Sequence, residues 1–266
     1  MTQPEAPLLI TSRANPLLAT VRKLSRSSAG YRRDQAVWLE GDHLCAAAVT
    51  RGVAVRHALV AESAWAKPAR RELARRADRV VRVDDRLWAE LGTLESPADI
   101  GFLIDLPQAP APDAGLDSVV LDRVQDAGNV GSILRSAAAL GVPQVLALKG
   151  TAALWSPKVL RAGMGAHFGL RLIEGLSEDE VLALHLPLVG TSSHQGQPLP
   201  AVALPRPAAW LMGHEGQGVS ARLSAACRLV VGIPQPGGEE SLNVASAAAI
   251  CLYEGLRQRL LPIVGP

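Results

Sequence analysis

Short apolar runs bounded by glycine or proline recur along the second half of the chain: SVVLDRV, PQVLAL, LPLVGT, AAWLMG and RLVVGIP. They are continuous rather than alternating, as expected of strands buried on both faces of a parallel sheet. Between the first two lies NVGSILRSAAALGVP, whose apolar spacing is helical and whose Gly141 and Pro143 supply a stop. The clearest helix is the last, where Val244, Ala247, Ala248, Cys251, Leu252, Gly255 and Leu256 share one face. That face is expected to be core or subunit interface. In the first half, short apolar runs alternate with Ala/Arg-rich amphipathic stretches, the pattern of a small α/β module. DLPQAPAPDAGLD, residues 105–117, separates the two textures and reads as a linker. The expected organisation is α/β throughout, with an N-terminal domain over 1–106, a linker over 107–116 and a second domain over 117–266.

Composition narrows this picture. The 266 residues are 48% hydrophobic, enough for one large or two modest domains. No run approaches the roughly 18 apolar residues of a membrane span, and the first residues have no secretory-signal pattern, so a cytoplasmic protein is expected. Cys45, Cys227 and Cys251 are far apart and never spaced C-x-x-C, which supports neither a disulfide framework nor a zinc cluster. His167, His194 and His214 have no partner at metal spacing, and no metal is expected. Net charge is only +2, but Arg13, Arg22, Lys23, Arg26, Arg32 and Arg33 face a single acid, Glu5, within residues 1–33. Such a block is either a solvated helical face or the first contact of a phosphate backbone.

In open α/β sheets ligands sit beyond the carboxyl ends of strands, and three loops there carry chemistry. In DAGNVGSILR, residues 126–135, glycines permit close backbone approach, Asn129 offers a donor and an acceptor, and Arg135 projects from the following helix. LMGHEGQGVS, residues 211–220, places Glu215 among Gly213, Gly216 and Gly218, with His214 as a plain loop residue. In IPQPGGEESLN, residues 233–243, Ser241 reads as the N-cap of the last helix, Asn243 falls one turn in, and Glu239 and Glu240 are loop residues.

Together these segments resemble the SpoU/TrmH family of RNA 2′-O-ribose methyltransferases, of the knotted SPOUT class. D-x-x-N-x-G-x-x-x-R is met by Asp126, Asn129, Gly131 and Arg135. G-x-E-G-x-G is met by Gly213, Glu215, Gly216 and Gly218. I-P-x-x-G followed by S-L-N-V is met by Ile233, Pro234, Gly237, Ser241, Leu242, Asn243 and Val244. ITSRANPLL and WLEGDHLC look like the small substrate-binding domain of two-domain members. The resemblance implies a trefoil-knotted parallel-sheet methyltransferase domain behind a small N-terminal α/β RNA-binding domain. It implies S-adenosylmethionine as methyl donor, held by Thr191, Gly213, Gly218, Ile233, Pro234 and Leu242. Asn129, Arg135, Glu215, Ser241 and Asn243 would carry catalysis, and Arg13, Arg22, Lys23, Arg32 and Arg33 would bind RNA. It further implies a homodimer and ribosomal RNA as substrate, with a large-subunit guanosine favoured over tRNA. Three positions depart from the family pattern: His214 stands where asparagine is common, Gln235 where methionine is, and Gly163 where serine is. The rivals are a non-catalytic RNA-binding relative and a Rossmann-type NAD oxidoreductase; the latter lacks the G-x-G-x-x-G spacing.

Overall fold

The computed structural model describes residues 7–92, 98–192, 196–237 and 241–260. The chain divides into two compact units. One runs to Gln108 and takes in Trp155–Phe168; the other begins at Ala109 and resumes at Gly169.

The first unit contains β1 (Leu9–Ile10), α1 (Pro16–Arg26), α2 (Gly30–Asp34), β2 (Ala36–Glu40), α3 (Asp42–Thr50), β3 (His57–Ala61), α4 (Pro68–Ala74), β4 (Arg79–Val83), α5 (Asp85–Trp88) and β5 (Ile100–Asp105). Its sheet runs β1-β4-β3-β5-β2, with β2 and β3 both antiparallel to β5. Asn15 caps α1 by accepting from the Leu17 N–H at 2.9 Å, and Pro16 fits the first turn, where its missing N–H costs nothing. Leu18, Val21 and Leu24, at spacings of three, bury one face of that helix and leave Lys23 and Arg26 at its end.

The second unit begins with β6 (Ser118–Asp122), α6 (Ala127–Ala139) and β7 (Gln144–Leu148). In the chain, α7 (Pro157–Gly163) comes next but belongs to the first unit. The second unit continues with β8 (Arg171–Leu176), α8 (Glu178–Ala183), β9 (Leu188–Thr191), β10 (Gln197–Pro198), β11 (Ala209–Gly213), α9 (Ala221–Ala225), β12 (Leu229–Gly232) and α10 (Val244–Leu260). All five apolar runs picked out in the sequence are strands. The half-exposed β8 and the two-residue β10 lacked that signature. The seven strands are wholly parallel, in the order β10-β12-β9-β11-β6-β7-β8. Both β6 and β7 are buried along their full length, which explains their unbroken apolar pattern. The core includes Val120, Leu146, Ile173, Leu188, Leu211 and Leu223. Each such side chain contributes about 1.5–3 kcal/mol relative to exposure.

Two features of the topology place the site. Strand order reverses beside β6, because β7 and β8 extend the sheet one way and β9 to β12 the other; the loops after β6, β9, β11 and β12 therefore leave the same edge. After β11 the chain crosses β9 to form β12, and α10 then returns to pack on α6 and β11.

Along α10, Ala248, Cys251 and Leu252 are buried, while Val244, Ala247, Gly255 and Leu256 are half-buried. The face seen in the sequence is thus packed within its own unit. Burial pushes the Cys251 thiol up to about 12. Two polar residues, Glu254 and Gln258, are also buried. The Gln258 amide donates to the Val202 carbonyl at 2.9 Å and accepts from the Leu204 N–H at 3.0 Å, satisfying backbone groups of the loop before β11. The N-cap of α10 differs from expectation. Ser241 lies two residues too early; Asn243 immediately precedes the helix, and its Oδ1 accepts from the N–H groups of Ala245 at 2.9 Å and Ser246 at 3.2 Å. Asparagine is an indifferent helix former but among the best N-caps, so the residue is explained once the helix start moves to Val244.

Candidate active site

The cap on α10 orients a chain of polar groups at the sheet edge. Because Asn243 Oδ1 is engaged by backbone N–H groups, its Nδ2 points outward and donates to Asn129 Oδ1 at 2.9 Å. Asn129 Nδ2 in turn donates to Glu215 Oε1 at 3.1 Å. Glu215 also accepts from the backbone N–H groups of Gln125 and Asp126, both at 3.1 Å. Partial burial pushes the Glu215 carboxyl up, but these hydrogen bonds outweigh it and hold the group below the usual carboxylate range. Asn129 itself is fixed at the start of α6, where Asp126 caps the helix by accepting from the Asn129 N–H at 2.7 Å. One residue from each of the three loops therefore meets in a single network.

Behind this network lies a cleft of ≈ 790 Å³ lined by all three chain stretches after β9, β11 and β12. Thr191, Gly213, Gly218, Ile233 and Leu242 line it, as do Glu215, Ser241 and Asn243. Thr191 is held at the strand end by donating to the Leu211 carbonyl at 3.3 Å. A Cβ at Gly213 would lie 2.3 Å from the Gly218 carbonyl carbon and the Val219 nitrogen, so only glycine lets the loop fold back on the strand. Gly218 has φ +68°, a left-handed conformation that glycine adopts without penalty. The far end of the loop is tied down by Asp122. This buried carboxylate accepts from the Ser220 N–H at 2.6 Å and from Arg123 Nε at 2.8 Å. Arg123 also donates to Gln217 Oε1 at 3.2 Å.

The remaining expected residues sit differently. Pro234 is exposed and is not part of the cleft lining, although Ile233 and Gln235 on either side are. Arg135 lies on α6 beyond Asn129, exposed, and its side chain makes no hydrogen bond or ion pair among the described residues. Ser241 lines the cleft with an exposed hydroxyl that has no partner among the described residues. Glu239, Glu240 and His194 lie outside the described residues. Sequence reasoning did not reach Asp122, Ser192, Ser224 and Cys227; the last three line the cleft through neighbours in space rather than in sequence. A strand-terminal aspartate one turn before a glycine loop was the available signal for Asp122. No group of three or more potential metal ligands occurs among the described residues.

In the first unit, Arg13, Arg22 and Lys23 line an open hollow of ≈ 630 Å³ with Arg26 and Ser27. They are not all unopposed. Arg13 and Arg22 pair with Glu90 at 2.9 and 3.7 Å, and Lys23 and Arg33 with Asp34 at 2.6 and 3.4 Å. The Arg32 guanidinium stands 5.3 Å from the Tyr31 ring centre.

Comparison with known proteins converges on one family. The SpoU rRNA Methylase family matches residues 118–253. An uncharacterized tRNA/rRNA methyltransferase of Synechocystis sp. is 33% identical over 261 residues, covering 94% of each chain. The 23S rRNA (guanosine(2553)-2′-O)-methyltransferase RlmP of Bacillus subtilis is 35% identical over 60% of this chain and 65% of its own. The crystal structure of the SpoU methyltransferase AviRb from Streptomyces viridochromogenes, in complex with the cofactor AdoMet, superposes with a TM-score of 0.84 at 28% identity, covering 92% of this chain and 98% of that one. Fold and site together define an S-adenosylmethionine-dependent RNA 2′-O-methyltransferase with the knotted parallel-sheet architecture. The chain belongs to the SpoU rRNA methylase family.

Proposed function

We propose that the protein acts in the cytoplasm as a homodimer and methylates the ribose 2′-oxygen of one guanosine in large-subunit ribosomal RNA. The observation that carries this reading is the junction of the Glu215–Asn129–Asn243 network with the cleft. The cleft residues Thr191, Gly213, Gly218, Ile233 and Leu242 fit the methyl donor, since glycine backbone, a hydroxyl and two apolar side chains suit a nucleoside with a polar tail. Pro234 would act by fixing the turn between Ile233 and Gln235. When bound, S-adenosylmethionine supplies an activated methyl group on sulfur. The chain's residues then align the ribose hydroxyl and help remove its proton. Asn129 and Asn243 hold the geometry, Glu215 anchors them, and Ser241 presents its exposed hydroxyl to the cleft. Arg135, an exposed guanidinium on α6 beyond Asn129, clamps the neighbouring phosphate and stabilises the developing oxyanion; a group with pKa above about 12 is a poor base. Arg13, Arg22, Lys23, Arg32 and Arg33 contribute phosphate contacts from the first unit.

The substrate assignment rests on the family and on the name of the Bacillus relative. A ribose-methylation map of cellular RNA with and without the gene tests it. Loss of a single large-subunit 2′-O-methylguanosine is expected. Loss at a tRNA position, or at another base, would overturn the substrate while leaving the chemistry, and an unchanged map would sink the reading.

A further inference from the structure

The loop between Gly213 and Ser220 contains a histidine whose role the catalytic network leaves open. His214 Nδ1 accepts from the Gly216 N–H at 2.9 Å and from the Gln217 N–H at 3.1 Å. Its own backbone N–H donates to the Gly218 carbonyl at 3.0 Å, and its carbonyl accepts from the Gly218 N–H at 2.8 Å. The side chain therefore sits inside a tight turn closed by its own backbone, filling the two donors that the turn leaves over. An asparagine or aspartate oxygen does the same in an Asx turn. Both donors are backbone N–H groups whose direction is fixed, so Nδ1 must be unprotonated and the ring proton must lie on Nε2. Rotating the ring would present a carbon and orphan both donors.

The turn matters because of what it holds. Glu215, the next residue, reaches Asn129 and the backbone of Gln125 and Asp126, and Gly213, His214, Gly216 and Gly218 all line the cleft. We infer that His214 is a positioning residue for the methyl-donor loop, its imidazole Nδ1 accepting the two backbone N–H groups in place of an Asx side chain. An asparagine oxygen at this position can accept from the same two N–H groups, whereas alanine leaves both without a side-chain acceptor.

The inference rests on the cleft being the S-adenosylmethionine site, and calorimetric titration of the full chain with S-adenosylmethionine separates the two. At pH 7.5 the wild type and His214→Asn are expected to bind alike, while His214→Ala binds roughly tenfold more weakly, as two lost hydrogen bonds imply. Thermal melts run alongside report folding. Equal affinity of His214→Ala and wild type at pH 7.5 would overturn the inference, as would His214→Asn binding as weakly as His214→Ala, or a lowered melting temperature with unchanged affinity. A wild type that binds no S-adenosylmethionine at pH 7.5 would overturn the cofactor site itself, whatever residue 214 is.

Discussion

Asn129 and Asn243 owe their orientation to a chain of hydrogen bonds anchored at both ends on main-chain groups. The α10 cap fixes the Asn243 amide, that amide fixes Asn129, and Asn129 meets a carboxylate pinned by two further backbone N–H groups. The order of this chain is what lets two exposed or half-exposed asparagines hold one geometry without burial. Arg135 is the opposite case, an exposed guanidinium with no hydrogen-bond or ion-pair partner among the described residues. Its planar fork is the property that lysine lacks. Arg135→Lys is therefore expected to cut kcat/KM for RNA methylation by about 100-fold with little change in S-adenosylmethionine affinity. Near-normal methylation by that variant would exclude a bidentate role. At this scale the three network residues were legible in the sequence as candidates, because each lies inside a short motif. It misplaced Asn243 in the helix interior, since the apolar period of α10 marks its face but not its first residue.

Among the elements, α10 carries the most. Its N-terminus is capped by Asn243 of the polar network, its buried face packs on α6 and β11, and its buried Gln258 satisfies the loop before β11. Its outer face is left with Ile250, Tyr253 and Leu260 exposed by 40, 58 and 70%. Spacings of three and seven put them on one stripe, the arrangement of a helix that packs against a second copy. Tyr253→Asp is accordingly expected to convert the proposed homodimer to a monomer in light scattering after size-exclusion chromatography. A wild type that is already monomeric, or a variant of unchanged mass, would remove this stripe from the interface. The sequence foresaw the helix and its inner face. The outer stripe was invisible as a feature because apolar residues on both sides of a helix blur its periodicity.

At the scale of the molecule, catalysis and RNA capture are proposed for different compact units. In the first unit, Glu90 offsets Arg13 and Arg22, and Asp34 offsets both Lys23 and Arg33. Arg32 and Arg33 are nevertheless exposed neighbours on α2, where a phosphate can reach both. The double variant Arg32→Ala/Arg33→Ala is expected to weaken RNA binding and to lower the salt dependence of log K by about 1–2 units, with S-adenosylmethionine affinity unaffected. An unchanged slope would take these arginines out of the RNA path. A sum of charges along residues 1–33 could not show this, because the neutralising acids Asp34 and Glu90 come from outside that stretch. By itself the sequence determined the α/β class, five of the seven parallel strands, the last helix and the three motifs, since strand burial and helical period are written locally in runs of side chains. Tertiary structure alone decided that β12 crosses β9, that α10 returns beside α6, and that Asp122, His214 and Asn243 hold the loops in place. Those are contacts between residues tens of positions apart, or between a side chain and a backbone whose turn exists only once the sheet has formed.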